Sequence, residues 1–167
     1  MATLAGSFLV ARSILQDPNF RQTVVLILQH REEGAFGLVV NRPTQLKQFP
    51  FPVFSGGPCE ANGLLMLHGH EDWVDSGPGQ PCVPVAPGIF LGDSSCVSKV
   101  SNPAPDQELN FRMFSGYAGW GPDQLESELA AGAWLVVQAT GEMLFDIPVE
   151  DLWDRLAPPS IPQPSLN

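Results

Sequence analysis

The stretch TVVLILQHREEGAFGLVVN, Thr23 to Asn41, decides the fold. Thr23–Gln29 is β-branched and almost continuously apolar, the mark of a strand covered on both faces. Glu32-Glu33-Gly34 is a hairpin signal, and Phe36–Asn41 (FGLVVN) returns as the second strand. Arg42-Pro43 ends it, because proline fixes φ and has no N–H to give to a ladder.

Upstream, Gly6–Ala11 (GSFLVA) reads as a strand, and Asp17-Pro18-Asn19 supplies the turn that follows. Downstream, Pro50 and Pro52 allow any helix after Thr44 barely more than a turn. Leu64–His68, Ile89–Leu91 and Phe111–Tyr117 are further strand candidates. Residues 75–88 hold four prolines and three glycines and read as a surface loop. The clearest helix is Pro122–Ala131. Pro122 suits its first position, Asp123 and Glu126 suit the positive end of the dipole, and Leu125 and Leu129 share a face before Gly132. Ala133–Gln138 is then a strand, and Pro148–Leu156 a second helix with Leu152 and Leu156 on one stripe. Strands throughout and helices only late predict a single α+β domain over residues 1–157, with a proline-rich tail at 158–167.

The chain has 167 residues, 44% of them hydrophobic and 16% charged, with 16 Gly and 17 Pro. That length supports one sizeable core, and the low charge density excludes intrinsic disorder. Eight basic residues face 18 acidic ones, for a net charge of −10. The imbalance is graded: residues 1–47 carry +2, residues 48–120 carry −5 and residues 121–167 carry −7. A specific DNA binder makes about 6–10 phosphate contacts, which would enlist nearly every scattered Lys and Arg here. The charge pattern therefore argues against direct nucleic-acid binding, and equally against acidic lipid surfaces. Cys59, Cys82 and Cys96, odd in number and without a C-x-x-C spacing, suit a reducing compartment. Met1 leads into Ala-Thr-Leu-Ala-Gly without a basic or extended apolar leader, and no apolar run exceeds the five residues of Val24–Leu28, too few to span a bilayer. The expected location is the cytoplasm.

Few stretches carry chemistry. His68-Gly69-His70 would point both imidazoles one way on an extended segment, with Glu71, Asp72 and His30 as further ligands. Two ligands without an H-E-x-x-H or a Cys/His array favour a strand end entering a polar turn, so no metal and no cofactor are assigned. Gly92-Asp93-Ser94-Ser95 lacks the glycines of a nucleophile elbow. Gly116-Tyr117-Ala118-Gly119-Trp120-Gly121-Pro122 is the richest stretch, with two aromatics among glycines just before a helix. Asp123 and Glu126 would repel a phosphate there, which leaves a tight strand-to-helix turn or an aromatic binding wall. Arg42, at a strand end, needs acceptors for five N–H donors: a carboxylate such as Glu126 or Asp17, or an anionic ligand.

These stretches, in order, resemble the AlgH/YqgE-like family of small bacterial proteins, whose members are uncharacterised or labelled transcriptional regulators. The matching pieces are Gly6–Ala11, Asp17–Phe20 with Thr23–Leu26, His30 with Gly34–Pro43, Gly56-Gly57-Pro58, Leu67-His68, Gly116–Pro122 running on to Glu126, and Trp134-Leu135. The chain departs from the family at Ser13, where a proline is usual, and at Asp123, where a glycine is frequent. The family's helices after N-R-P and after the strand ending near Leu91 look abbreviated here. The resemblance implies a mostly antiparallel sheet curled into a pseudo-barrel with helices against it. It implies no established activity.

Function is then expected to be that of a non-catalytic binding or regulatory protein, with an unidentified protein or small-molecule partner. The oligomeric state is not fixed by the sequence. The candidate ligand-binding residues are Asn41, Arg42, His68, Tyr117, Trp120, Gln124 and Glu126. Arg42 and Glu126 are expected within ion-pairing reach at one shared cleft, with Gly56-Gly57-Pro58 a neighbouring turn. The alternative is an enzyme for a small anionic substrate, with Arg42 holding the anion and His68 as acid or base. It requires Arg42, His68 and Tyr117 to meet at one pocket.

Overall fold

A computed structural model describes residues 3–12, 18, 20–44, 51–70, 82–92 and 110–157. Along the chain run β1 (Ser7–Ala11), β2 (Val24–Arg31), β3 (Gly34–Val39), β4 (Val53–Ser55), β5 (Cys59–His68), β6 (Cys82–Ala86), β7 (Ile89–Gly92) and β8 (Phe111–Trp120). Helix α1 (Gln124–Ala130), β9 (Trp134–Gln138), a π-helical turn (Glu142–Asp146) and helix α2 (Val149–Leu156) follow. The strands form one sheet in the order β6-β7-β5-β8-β3-β2-β1-β9, with β4 attached to β8. Every pairing between these strands is antiparallel except β4 with β8. The fold is the expected one, a mostly antiparallel sheet curled into a half-barrel with a few helices packed on it.

The curl follows from β8, a ten-residue strand that changes neighbours along its length. Met113–Ser115 pairs with β4, whereas Ala118–Trp120 pairs with β3. Between them Gly116 takes φ 82°, and an added Cβ would come within 2.7 Å of the Gly57 carbonyl oxygen. Only glycine allows both the left-handed turn and that approach.

The apolar hairpin is covered on both sides, as its sequence requires. Val24 and Leu26 join Phe8, Val10, Leu38, Phe114, Leu144 and Leu152 in one cluster, closed by the π-turn and α2. Val25 and Ile27 join Leu9, Ala11, Trp120, Leu125 and Trp134 in another, closed by α1. Burying a Val, Leu or Ile side chain stabilises by about 1.5–3 kcal/mol, so these two layers supply most of the drive to fold.

Two sequence expectations change, and one strand stands where no element was assigned. Val53–Ser55, beyond the proline pair, is a strand, because parallel pairing with β8 satisfies its backbone. Residues 82–86, expected to lie in a surface loop, form β6, which pairs with β7 at the strand expected over Ile89–Leu91. Pro84 is tolerated there because β6 is an edge strand, where a missing N–H breaks no ladder on the open side. The other change concerns Gly119-Trp120, which belong to β8 rather than to a turn. The turn is confined to Gly121–Asp123, with Asp123 at φ 65° and the helix beginning at Gln124, two residues later than expected. The proline-rich tail and residues 45–50 and 93–109, on which the expected abbreviation of the family's helices falls, lie outside the described residues.

Candidate functional site

The Asn41-Arg42-Pro43 turn is a structural clamp. Asn41 Oδ1 accepts from the Val24 N–H at 2.9 Å, and Asn41 Nδ2 donates to the Gln22 carbonyl at 3.0 Å. Gln22 is held at φ 56°, a left-handed conformation costly for a non-glycine residue, and the Asn41 bond fixes its carbonyl there. The Arg42 guanidinium donates to the carbonyls of Pro18 at 3.2 Å and Arg21 at 2.7 Å. Together Pro18, Arg21, Gln22, Asn41 and Arg42 line a cleft of about 360 Å³.

Glu126 does not pair with Arg42. Its Oε2 accepts from His30 Nε2 at 2.8 Å, across 96 residues of sequence. His30 Nδ1 in turn accepts from the Leu4 N–H at 3.1 Å, so its single ring proton sits on Nε2 and points at the carboxylate. The shared Arg42–Glu126 cleft is therefore corrected. Arg42 serves the backbone of the 18–21 turn, whereas Glu126 lies on α1 and faces β2.

The bond from His30 holds the Glu126 carboxyl below its ordinary value of 4.5, aided by its own backbone N–H and opposed by partial burial. A depressed carboxyl contributes stability that is present above its ordinary value and lost as the pH falls through the lowered one. Glu126→Gln is expected to flatten the loss of melting temperature between about pH 6 and pH 3. Parallel acid unfolding of the variant and the wild type would show that the pair contributes nothing.

Trp120 and Gln124 converge, on a residue the sequence reading did not single out. Glu128 Oε1 accepts from Trp120 Nε1 at 2.9 Å and Trp134 Nε1 at 2.8 Å, and its Oε2 accepts from Gln124 Nε2 at 3.3 Å. Phe20 stacks on Trp120 at 5.9 Å and meets Trp134 edge-on at 5.8 Å. The one hint in the sequence is that Glu128 follows Leu125 by three residues, which puts a carboxylate beside the buried face of α1.

His68 is fully buried at the end of β5. It stacks on Phe90 at 5.6 Å and on His70 at 6.2 Å, and its Nδ1 accepts from the His70 N–H. The two imidazoles do lie side by side, as an extended i, i+2 pair should. Among the described residues no group of three His, Cys, Asp or Glu could hold a metal ion, and Glu71 and Asp72 are outside them. Tyr117 faces Phe36 edge-on at 6.0 Å. The sheet register sets His68 opposite Phe111 and Tyr117 opposite Cys59. Six residues of β8 thus separate them, roughly 20 Å at strand rise.

What the fold does bring together is backbone. Arg42 O accepts from the Ser55 N–H at 2.7 Å, Gly56 N donates to Ser115 O at 2.8 Å, and Gly56 O accepts from the Val39 N–H at 2.8 Å. These bonds stitch the Gly56-Gly57-Pro58 turn between β3 and β8. Beside it Thr44, Ser55, Gly57, Pro58, Cys59, Glu60, Ser115 and Gly116 enclose a cleft of about 300 Å³. Ser55 and Ser115 are register partners, so two hydroxyls stand next to each other on its wall. None of the seven candidate binding residues lines this cleft, whereas Asn41 and Arg42 line the other.

Comparison with known proteins agrees with the geometry. The family model described as AlgH-like matches residues 8–159. A UPF0301 protein of Chlorobaculum tepidum is 34% identical over 160 residues, spanning 90% of this chain and 83% of that one. A UPF0301 protein of Streptomyces avermitilis is 38% identical over 170 residues, spanning 92% and 84%. Among solved structures, the solution structure of AlgH from Pseudomonas aeruginosa superposes with a TM-score of 0.71 at 28% identity, covering 92% of this chain and 87% of that one. A Corynebacterium diphtheriae protein solved by X-ray crystallography gives 0.75 at 21% identity, over 93% and 85%, a likeness of fold alone. With the AlgH-like family model matched over residues 8–159 and relatives 34% and 38% identical over most of both chains, the chain belongs to the AlgH-like family.

Proposed function

We propose that this is a non-catalytic binding or regulatory protein, and that a small polar ligand occupies the cleft between β4, β5 and β8. The observation that carries the reading is convergence. Thr44, next to the N-R-P turn, the Gly57-Pro58 turn and the Ser115-Gly116 hinge border one cleft of about 300 Å³, a volume at the small end of ligand pockets. The neighbouring hydroxyls of Ser55 and Ser115 and the Cys59 thiol offer donors and acceptors, with the Glu60 carboxylate the one charged side chain among the lining residues. A cytoplasmic location belongs to the same proposal, on the odd cysteine count. Regulation would run through a ligand or protein contact rather than DNA, given the net charge of −10. The enzymatic alternative needs Arg42, His68 and Tyr117 at one pocket, and the register that separates His68 from Tyr117 weighs against it.

A thermal-shift screen of small polar metabolites tests the reading. A ligand at a hundred times its Kd adds about 2.7 kcal/mol, or roughly 5–10 °C of melting temperature. The wild type should show such a saturable rise, and Ser115→Leu, which fills the cleft, should fold and lose it. No saturable ligand from a broad screen would sink the binding reading, and turnover of a bound ligand would sink the non-catalytic one.

A further inference from the structure

Arg112 is the residue whose surroundings the architecture leaves unexplained. It lies near the start of β8, opposite Leu67, on the face it shares with Phe114. Its guanidinium carbon sits over the ring of Phe54 at 5.9 Å and over that of Phe145 at 5.5 Å. One terminal N–H donates to the Phe111 carbonyl at 2.9 Å. The Nε atom is buried and has no hydrogen-bond partner. Among the described residues no carboxylate forms an ion pair with Arg112, although the chain carries 18 acidic side chains.

This is an unusual way to keep an arginine. A guanidinium has five donors and no acceptor, and a buried donor without a partner costs about as much as a lost hydrogen bond. Burial also lowers the Arg112 pKa, which records the same desolvation. Aromatic faces attract the cation without using its N–H groups, so Phe54 and Phe145 hold the charge while the Nε–H is left without an acceptor. Phe145 is delivered by the π-helical turn Glu142–Asp146, an irregularity that recurs at functional sites.

We infer that Arg112 anchors a second ligand site, which takes the oxyanion group of a small organic acid or phosphate on those guanidinium N–H donors that carry no protein acceptor. The fork of N–H donors matches two oxygens of a carboxylate or phosphate, and the aromatic surroundings strengthen the contact by excluding water. The site is separate from the cleft proposed above. Arg112 does not line that cleft, and strand alternation turns it to the other face from Ser115.

The test follows the Arg112 Nε–H resonance in ¹⁵N-labelled wild-type protein, titrated with benzoate, inorganic phosphate or chloride at matched ionic strength. A saturable shift with benzoate or phosphate, beyond that of chloride, supports the site, and the responding arm tells a carboxylate on an apolar body from a phosphate. The same anion should raise the melting temperature of the wild type. Arg112→Lys, which keeps the charge but not the fork, should bind it at least roughly tenfold more weakly. Equal shifts with all three salts, or none with either oxyanion, would overturn the inference. The wild-type titration decides this even if Arg112→Lys fails to fold.

Discussion

Glu128→Ala is expected to lower the melting temperature by roughly 10 °C, a loss of about 3–5 kcal/mol. One carboxylate oxygen accepts both indole N–H groups, from Trp120 and Trp134, and the other accepts from Gln124. Trp120 and Trp134 are 5% and 4% exposed, so water cannot easily replace the lost acceptor. A hydrogen bond to a charged group contributes about 1.5–3 kcal/mol, and two such donors would be orphaned at once. Glu128→Gln keeps a neutral carbonyl oxygen at the same reach and should cost about half as much. Near-UV circular dichroism should report the change, because the two indoles and Phe20 form one contacting aromatic group. If Glu128→Ala melts within a degree or two of the wild type, the indoles have found other acceptors and Glu128 is not the hub of this layer.

Gly57→Ala should be more severe. Gly57 has φ 148°, and a Cβ there would sit 2.3 Å from both the carbonyl carbon and the oxygen of Tyr117, and 2.5 Å from the Ala118 nitrogen. The obstacle is main chain in the middle of β8, so no side-chain rotation relieves it. A left-handed alanine costs about 1–2 kcal/mol by itself, and parting β8 from the turn breaks ladder bonds as well. The expected loss is about 4 kcal/mol or more, in the range reserved for a named structural failure. Gly63→Ala is the control. Its φ is 90°, but nothing lies within 4 Å of its would-be Cβ, so only the conformational cost applies. Chemical denaturation of the two variants separates close approach from conformation. Equal destabilisation would mean that the turn has room to move away from β8.

The legible parts of this chain were those whose signal is local. Val24–Ile27 announced a strand buried on both faces because four successive apolar residues have no solvent side to turn outward. Leu125 and Gly132 announced α1, since the helical period and a glycine stop act within a few residues. The N-R-P and Gly116–Trp120 stretches stood out by composition alone, and both prove to be places where backbone meets backbone. What they do there was not legible. Arg42 needed acceptors, and among the described residues the fold supplied the carbonyls of Pro18 and Arg21 rather than Glu126, whereas Asp17 lies outside them.

By itself, then, the sequence determined the family through the resemblance of its ordered motifs, and the fold class, the central hairpin and the two late helices through periodicity and turn chemistry, which are properties of neighbouring residues. Tertiary structure alone decided the partners. Val53–Ser55 is a strand only because β8 lies beside it, and Pro84 is harmless only because β6 lies at an edge. Glu126 faces His30 across 96 residues, and Trp120 and Trp134 share one carboxylate because β8, α1 and β9 close on each other. A charge or a hydrogen-bond donor is selective only over a few ångströms. Which group arrives within that distance is set by how the sheet curls, and the curl depends on a glycine hinge whose partner turn lies almost sixty residues away.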